Sequence, residues 1–336
     1  MMNSVEAPTD TPPQADFRPL LAGENGRRLR RLWFRLALFF LPIVFIVAPL
    51  VYWVDPYNLF QNQSRIPIEL RQRYAAPLNQ ALWKVFAYSR DPKPNIILGD
   101  SQAARFPEDQ ISLVTGEPFA NLGAGGATLR ETIDMFWFAS RETSLHSVYF
   151  GINFMAYNED PRDRLPQAEA ILRTPVLYFL NSDVLEAGTY DIRDAVFHHP
   201  ANLGPQASKD AFWQSQLQYL TARYRRDADP GDLRGKLQQV VDYAHQHGIQ
   251  FAFIIPPQHV DAQRRVRELG VEAQYEHFKY DLAQMAPVYD CDIDSSLTRD
   301  RNNFLDPFHL EIPAAKQLVT DLWSGHPTIC RVLGNN

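Results

Sequence analysis

Five short apolar runs, separated by segments with helical spacing, restrict the fold of this chain more than any other feature. They fall at 96–98, 118–122, 147–151, 250–255 and 288–292. Short, mainly apolar runs that alternate with amphipathic helices suit a parallel sheet covered on both faces. Helical periodicity recurs at 128–140 and 232–247, Gly248 stands where a glycine closes a helix, and Pro256-Pro257 ends the strand after it. The pattern predicts an α/β domain with a sheet of five parallel strands. Ligands of such sheets gather at the carboxyl ends of the strands.

The first of those ends is Asn95-Ile96-Ile97-Leu98 followed by Gly99-Asp100-Ser101. A buried strand that stops in a tight turn and opens a helix presents a serine hydroxyl at the sheet edge. The tripeptide alone is ordinary turn chemistry, so its meaning depends on what else reaches that edge. Asn121-Leu122-Gly123-Ala124-Gly125-Gly126-Ala127-Thr128 follows the second strand, Gly151-Ile152-Asn153 the third, and Asp306-Pro307-Phe308-His309 lies near the C-terminus. Acyl transfer needs a nucleophile, a base, a group that orients the base, and donors aimed at an oxyanion. Asp306-x-x-His309 lets one loop-to-helix turn supply orienter and base. Gly126 can offer an unobstructed N–H and Asn153 an amide.

These blocks resemble the SGNH, or GDSL-like, hydrolase superfamily over roughly residues 95–325. The resemblance implies a three-layer, flavodoxin-like fold and a Ser-His-Asp triad of Ser101, His309 and Asp306. The Ser101 N–H, the Gly126 N–H and the Asn153 side chain would form the oxyanion hole. No metal or organic cofactor is implied. Phe154 stands where the family usually has Asp, and Gln102 where Leu is common. The Asp55-Pro56-Tyr57 segment, Ile254-Ile255-Pro256-Pro257-Gln258-His259 and Asn303-Phe304-Leu305 ahead of Asp306 are similar to membrane-anchored bacterial members. Those members resemble proteins of alginate and cellulose O-acetylation and teichoic-acid D-alanylation.

The N-terminal region is read in the same direction. Residues 1–26 hold prolines, threonines and little periodicity, and Arg27, Arg28, Arg30, Arg31 and Arg35 precede an uncharged apolar run at 36–54. A run near twenty residues flanked by cations on one side predicts a single transmembrane helix with the cytoplasm on the arginine side. Trp33, Tyr52 and Trp53 stand at its ends, and Val51-Tyr52-Trp53-Val54-Asp55 offers no cleavage site for a signal peptidase. The expected organisation is a cytoplasmic tail at 1–35, the span at 36–54, a connecting helical segment at 55–94 and the catalytic domain at 95–330. Within that domain, about 155–230 is longer than a crossover needs and reads as an inserted lid or substrate wall. In the connecting segment, apolar spacing predicts a helix over 77–89 with Pro77 in its first turn.

A formal net charge of −6, with no basic stripe in the domain, argues against nucleic-acid binding. Cys291 and Cys330 lack metal-ligand spacing; outside the cytoplasm they can pair, and their spacing leaves that open. Through the resemblance, the expectation is a periplasmic acyltransferase of the bacterial inner membrane that moves acetyl to glycan hydroxyls. A multi-spanning membrane-bound O-acyltransferase would deliver the acyl donor. The alternatives are a carbohydrate esterase with the same triad and an inert membrane-tethered scaffold that binds polymer or a partner.

Overall fold

The computed structural model describes residues 24–200, 208–225, 229–325 and 327–334. It divides into two compact units, residues 1–53 and 54–336. In the first unit, α1 (Glu24–Pro42) passes into a π turn (Ile43–Val47) and then into α2 (Ala48–Val54). Among the described residues, no helix is long and apolar enough to cross a membrane, so the single span expected at 36–54 is not found as one helix. The reason lies in how the run is divided: α1 holds the arginine cluster together with only the start of the apolar stretch, and the π turn separates that start from α2. Leu38, Phe45 and Ile46 are exposed along it. The expected tail lies, up to residue 23, outside the described residues.

The second unit begins with α3 (Ile68–Leu78) and α4 (Gln80–Arg90). Pro77 sits in the last turn of α3 instead of opening a helix, because Asn79 is the N-cap of α4 and its Oδ1 accepts from Leu82 N at 3.0 Å. The strands and helices then alternate: β1 (Asn95–Leu98), α5 (Glu108–Thr115), β2 (Phe119–Asn121), α6 (Leu129–Glu142) and β3 (Ser147–Gly151). The long insertion holds α7 (Leu165–Arg173), a 3₁₀ turn (Pro175–Leu180), α8 (Ser182–Phe197) and α9 (Lys209–Tyr224). After it come α10 (Asp232–Gln246), β4 (Gln250–Ile255), α11 (Val260–Glu268), α12 (Glu272–Met285) and β5 (Val288–Asp290). The chain closes with α13 (Ser296–Arg299), β6 (Phe304–Asp306), β7 (His309–Leu310), α14 (Ile312–Leu322) and β8 (Arg331–Leu333).

The main sheet has six strands in the order β2-β1-β3-β4-β5-β8. Its first five are parallel, and the order reverses at β1, so the crossovers on either side of that strand pass over opposite faces. Accordingly α6 packs with α10 and α5 with α14. Ile96, Ile97, Leu98, Val148, Phe150, Phe253 and Ile254 are wholly buried between the helical layers.

The sixth strand corrects the expectation of five. β8 runs antiparallel to β5, with Asp290 opposite Arg331, and the next residues along each strand, Cys291 and Cys330, form a disulfide. Asp290 is buried, and Lys279 and Arg331 both donate to its carboxylate. A covalent bond and a shared carboxylate thus hold a strand too short and too exposed to be read from its own pattern.

Candidate active site

The turn after β1 is shaped by a backbone approach that admits only glycine. Gly99 has φ +138°, and a Cβ there would lie 2.6 Å from Gly151 O and 2.7 Å from the Ala103 methyl. Gly151, at the end of β3, faces the same methyl from the other side, where its own Cβ would come within 2.6 Å. With both Cβ atoms absent, the chain folds tightly over the ends of β1 and β3 and carries Ser101 to the carboxyl edge.

Asp100 stabilises that turn from within. Its Oδ1 accepts from Gln102 N at 2.9 Å and its Oδ2 from the Asn153 amide at 2.7 Å. Burial pushes the Asp100 carboxyl up, and those two hydrogen bonds and the nearby His309 oppose the shift. Asn121 ties in the second loop: its amide donates to the carbonyls of Ala103 and Phe106, and its Oδ1 accepts from Gly123 N at 2.8 Å.

Asp306 and His309 come from a hairpin, not from the loop-to-helix turn expected. They face each other across β6 and β7, joined by Pro307-Phe308. Asp306 Oδ1 accepts from the N–H groups of Phe308 and His309, which leaves Oδ2 for His309 Nδ1 at 2.7 Å. His309 Nε2 lies 2.7 Å from Ser101 Oγ. The hairpin is docked by Arg105, whose Nε donates to Leu310 O, and by His259 N, which donates to Pro307 O at 2.8 Å. Asp306 is buried, while His309 keeps its side chain 18 % exposed, enough to exchange a proton with a bound molecule.

A cleft of about 250 Å³ opens over Ser101 and His309, with Gly126, Thr128, Met155 and Phe308 in its wall. Among the described residues, neither the Ser101 N–H nor the Gly126 N–H finds an acceptor, so two donors remain free at the cleft wall. Gly126 sits at φ +67°, a left-handed position suited to glycine. Its loop is held from behind, since Gly125 N donates to Gln80 Oε1 at 2.6 Å and Arg164 donates to Gly125 O at 3.0 Å. Asn153 lies behind the wall, wholly buried; one of its amide hydrogens goes to Asp100 and its Oδ1 accepts from Ala156 N. An amide has two N–H donors, so one is left after Asp100.

The insertion divides between two tasks. α9 supplies Gln216, Tyr219 and Arg223 to the cleft, and Arg162 joins them from the segment ahead of α7. Asn158, Asp160, Arg162, Tyr219 and Arg223 also line an adjoining hollow of about 630 Å³, so the cleft continues outward. Tyr219 packs on Phe308, and Phe308 on His309, with ring centroids 6.2 and 4.5 Å apart. The sequence pattern at 155–230 points to a lid or substrate wall but to none of these residues in particular. Gln216, Tyr219 and Arg223 share the three-to-four-residue spacing of one helical face, the one signal that could have found them. α8 instead packs on α3 and contributes none of the residues of the cleft wall named above.

Of the two departures from the motifs of the resemblance, Phe154 finds a physical reason and Gln102 does not. Phe154 is buried against Tyr224, Tyr275 and Phe278, and so joins the end of α9 to α12. His259 caps α11 through Nδ1 and packs edge-on against Trp213 and Phe304, and burial pushes its imidazole down. It serves structure there. Gln102 is buried, and nothing in the structure explains its amide, which has no partner among the described residues.

No family model matches the chain, and no curated protein matches it. Solved structures are similar to it, two of them as follows. One is provisionally described as a platelet activating factor from Streptococcus pneumonia, 10 % identical with a TM-score of 0.38, over 76 % of this chain and 94 % of that one. The other is provisionally described as an acylhydrolase from Bacteroides fragilis NCTC 9343, 11 % identical with a TM-score of 0.37, over 75 % of this chain and 97 % of that one. What the site can do is therefore read from its own atoms.

Proposed function

We propose that this chain is an SGNH-type acyl-ester enzyme that transfers an acyl group, acetyl foremost, to a hydroxyl of a cell-surface or exported glycan. The observation that carries the reading is the hydrogen-bonded chain from Ser101 through His309 to Asp306, open to a cleft with two unpaired N–H donors in its wall. His309 Nε2 takes the Ser101 proton as Oγ attacks the acyl carbonyl carbon, and Asp306 holds the imidazolium that forms. The carbonyl electron pair moves onto oxygen, where the N–H groups of Ser101 and Gly126 receive it, with the second Asn153 amide hydrogen as the third donor. The intermediate collapses, the leaving alcohol takes its proton from His309, and an acyl-serine remains. An acceptor hydroxyl then gives its proton to His309, attacks the acyl carbon and releases Ser101 Oγ, which regains a proton from the imidazolium.

Transfer is favoured over hydrolysis by the continuation of the cleft into the larger hollow, which leaves room for an acceptor beyond the acyl group. Esterase action by the same triad is the alternative, and it differs only in water taking the acceptor's place. The Cys291–Cys330 disulfide supports an oxidising compartment, hence the periplasmic side. Arginines at 27–35 ahead of the exposed apolar stretch support attachment to the inner membrane with the N-terminus inside. A multi-spanning O-acyltransferase delivering the donor is part of this reading.

Intact-mass spectrometry of the full chain after exposure to p-nitrophenyl acetate tests it. The expected result is a gain of one acetyl, mapped to Ser101, that a glycan acceptor removes while becoming acetylated. Ser101→Ala abolishes the adduct and lowers kcat by about 10⁶-fold. An acetyl group lost to water with no acetylated glycan selects the esterase. If no donor acylates Ser101, the enzyme reading fails and the scaffold takes its place.

A further inference from the structure

The 3₁₀ turn Pro175–Leu180 presents Val176 at 60 %, Leu177 at 40 % and Leu180 at 60 % exposure, a cluster of bare aliphatic side chains on the second unit. Tyr178 and Phe179 of the same turn are bound to the start of that unit. The Tyr178 hydroxyl donates to Asp55 Oδ1 at 3.1 Å and accepts from Tyr57 N at 2.9 Å, with Tyr178 and Asp55 both wholly buried. The Phe179 ring stacks on Phe60 at 5.5 Å.

The 55–61 segment is itself fixed. Asp55, Asn58 and Gln61 all adopt positive φ, an unfavourable conformation that persists only where surrounding contacts overdetermine it. Those contacts are present. Asp55 accepts from Leu59 N, Phe60 N and Tyr178, its carbonyl accepts from Arg71 at 2.8 Å, and Arg90 donates to Asn58 O. The chain therefore enters the second unit at a rigid point beside this turn. Immediately before that point stand Leu50, Tyr52 and Trp53, exposed at 44, 50 and 41 %.

We propose that the Pro175–Leu180 turn is a lipid-contact surface, seated in the interfacial zone of the phospholipid bilayer. The inference rests on the membrane attachment within the reading above. Covalent continuity then decides the occupant: if the apolar stretch before Asp55 lies in the membrane, a turn hydrogen-bonded to Asp55 and Tyr57 lies at the membrane surface. Its composition fits that depth, with aliphatic side chains outward and the aromatic rings of Phe60, Tyr178 and Phe179 behind them. Its backbone is partly self-satisfied, since Leu177 N donates to Thr174 O and Asn181 N to Tyr178 O. The turn gives the catalytic unit a second foothold and restricts its rotation about the entry point.

The test uses the full chain reconstituted into vesicles of phosphatidylethanolamine and phosphatidylglycerol. Both native cysteines are in the disulfide, so an environment-sensitive fluorophore placed on Leu177→Cys labels one position. Val176→Cys provides a second reading from the same turn, and Leu113→Cys, at a position 76 % exposed on α5, provides the aqueous reference. Brominated lipid is expected to quench the two turn positions several-fold more strongly than the reference. A chain that floats with the vesicles while all three positions stay equally unquenched overturns the lipid contact and leaves membrane attachment standing. A chain that does not float overturns both. Shielding from water without quenching by brominated lipid also overturns the proposal and points to a second copy or another protein over the turn. Acylation of Ser101, measured separately, is not altered by any of these results.

Discussion

Two regions of the second unit, the cleft and α8, treat their buried carboxylates differently. At the cleft, every oxygen of Asp100 and Asp306 has a donor. On α8, Asp191 is wholly buried, and among the described residues neither of its oxygens has a hydrogen-bond partner. Burial pushes the Asp191 carboxyl up to about 7; Arg71 opposes the shift and Asp194 adds to it. Burial raises Asp100 as well, but there hydrogen bonds and His309 favour the charged form. The contrast separates two uses of a buried acid. Fully partnered carboxylates hold a geometry, whereas an unpartnered one makes the fold sensitive to pH.

The largest expected break of this contrast is at Asp306. Asp306→Asn keeps the shape of the hairpin but no longer fixes the imidazole in the tautomer that can accept from Ser101. Steady-state hydrolysis of p-nitrophenyl acetate should fall by about 10⁴-fold in kcat, with the melting temperature little changed. A melting temperature that collapses with activity would mean that the carboxylate serves the hairpin and not the histidine.

Asn153→Ala is the next largest. On the proposed mechanism it removes the third oxyanion donor, and it leaves Asp100 Oδ2 without its partner, so kcat should drop by about 10²- to 10³-fold with KM changed less. If kcat is retained, the two backbone N–H groups suffice and Asn153 only supports the turn.

Asp191→Asn should act in the opposite way, leaving activity intact and changing the dependence of stability on pH. In the folded chain the carboxyl binds its proton more tightly than in the unfolded chain, where its value is the ordinary 3.8. The unfolded state therefore holds fewer protons between about pH 4 and pH 7, and stability falls as pH rises through that window. The wild-type melting temperature should decline across it and level off above, with a loss of stability on the order of a few kcal/mol. The asparagine variant should lose that component of the decline. An identical decline in both proteins would show that Asp191 titrates alike in the folded and the unfolded chain.

Much of the fold was legible because it rests on short-range pattern. The apolar runs at 96–98, 147–151 and 250–255 lie in strands within a residue or so, and Thr128 caps α6 where helical periodicity begins. At the candidate site, Ser101, His309 and Asp306 were named through the family resemblance that their motifs carry, and His309 lies within hydrogen-bond distance of the other two. The helix boundary at Pro77 was misread because Asn79, two residues on, is the stronger helix start. A hairpin took the place of the turn at Asp306 because its two strands are only three and two residues long.

What the sequence by itself determined is local: which residues can end a strand, which glycines can let β1 and β3 close on Ala103, and which dyad can orient a histidine. Those properties need only neighbouring atoms. The tertiary structure alone decided that α9 walls the cleft while Tyr178 and Asp191 turn toward the 55–90 segment, and that β8 joins the sheet beside β5. It also decided that Asp191 is left without a partner. Each of these depends on groups brought together from positions far apart in the chain, and such contacts leave no period in the sequence because each is made once.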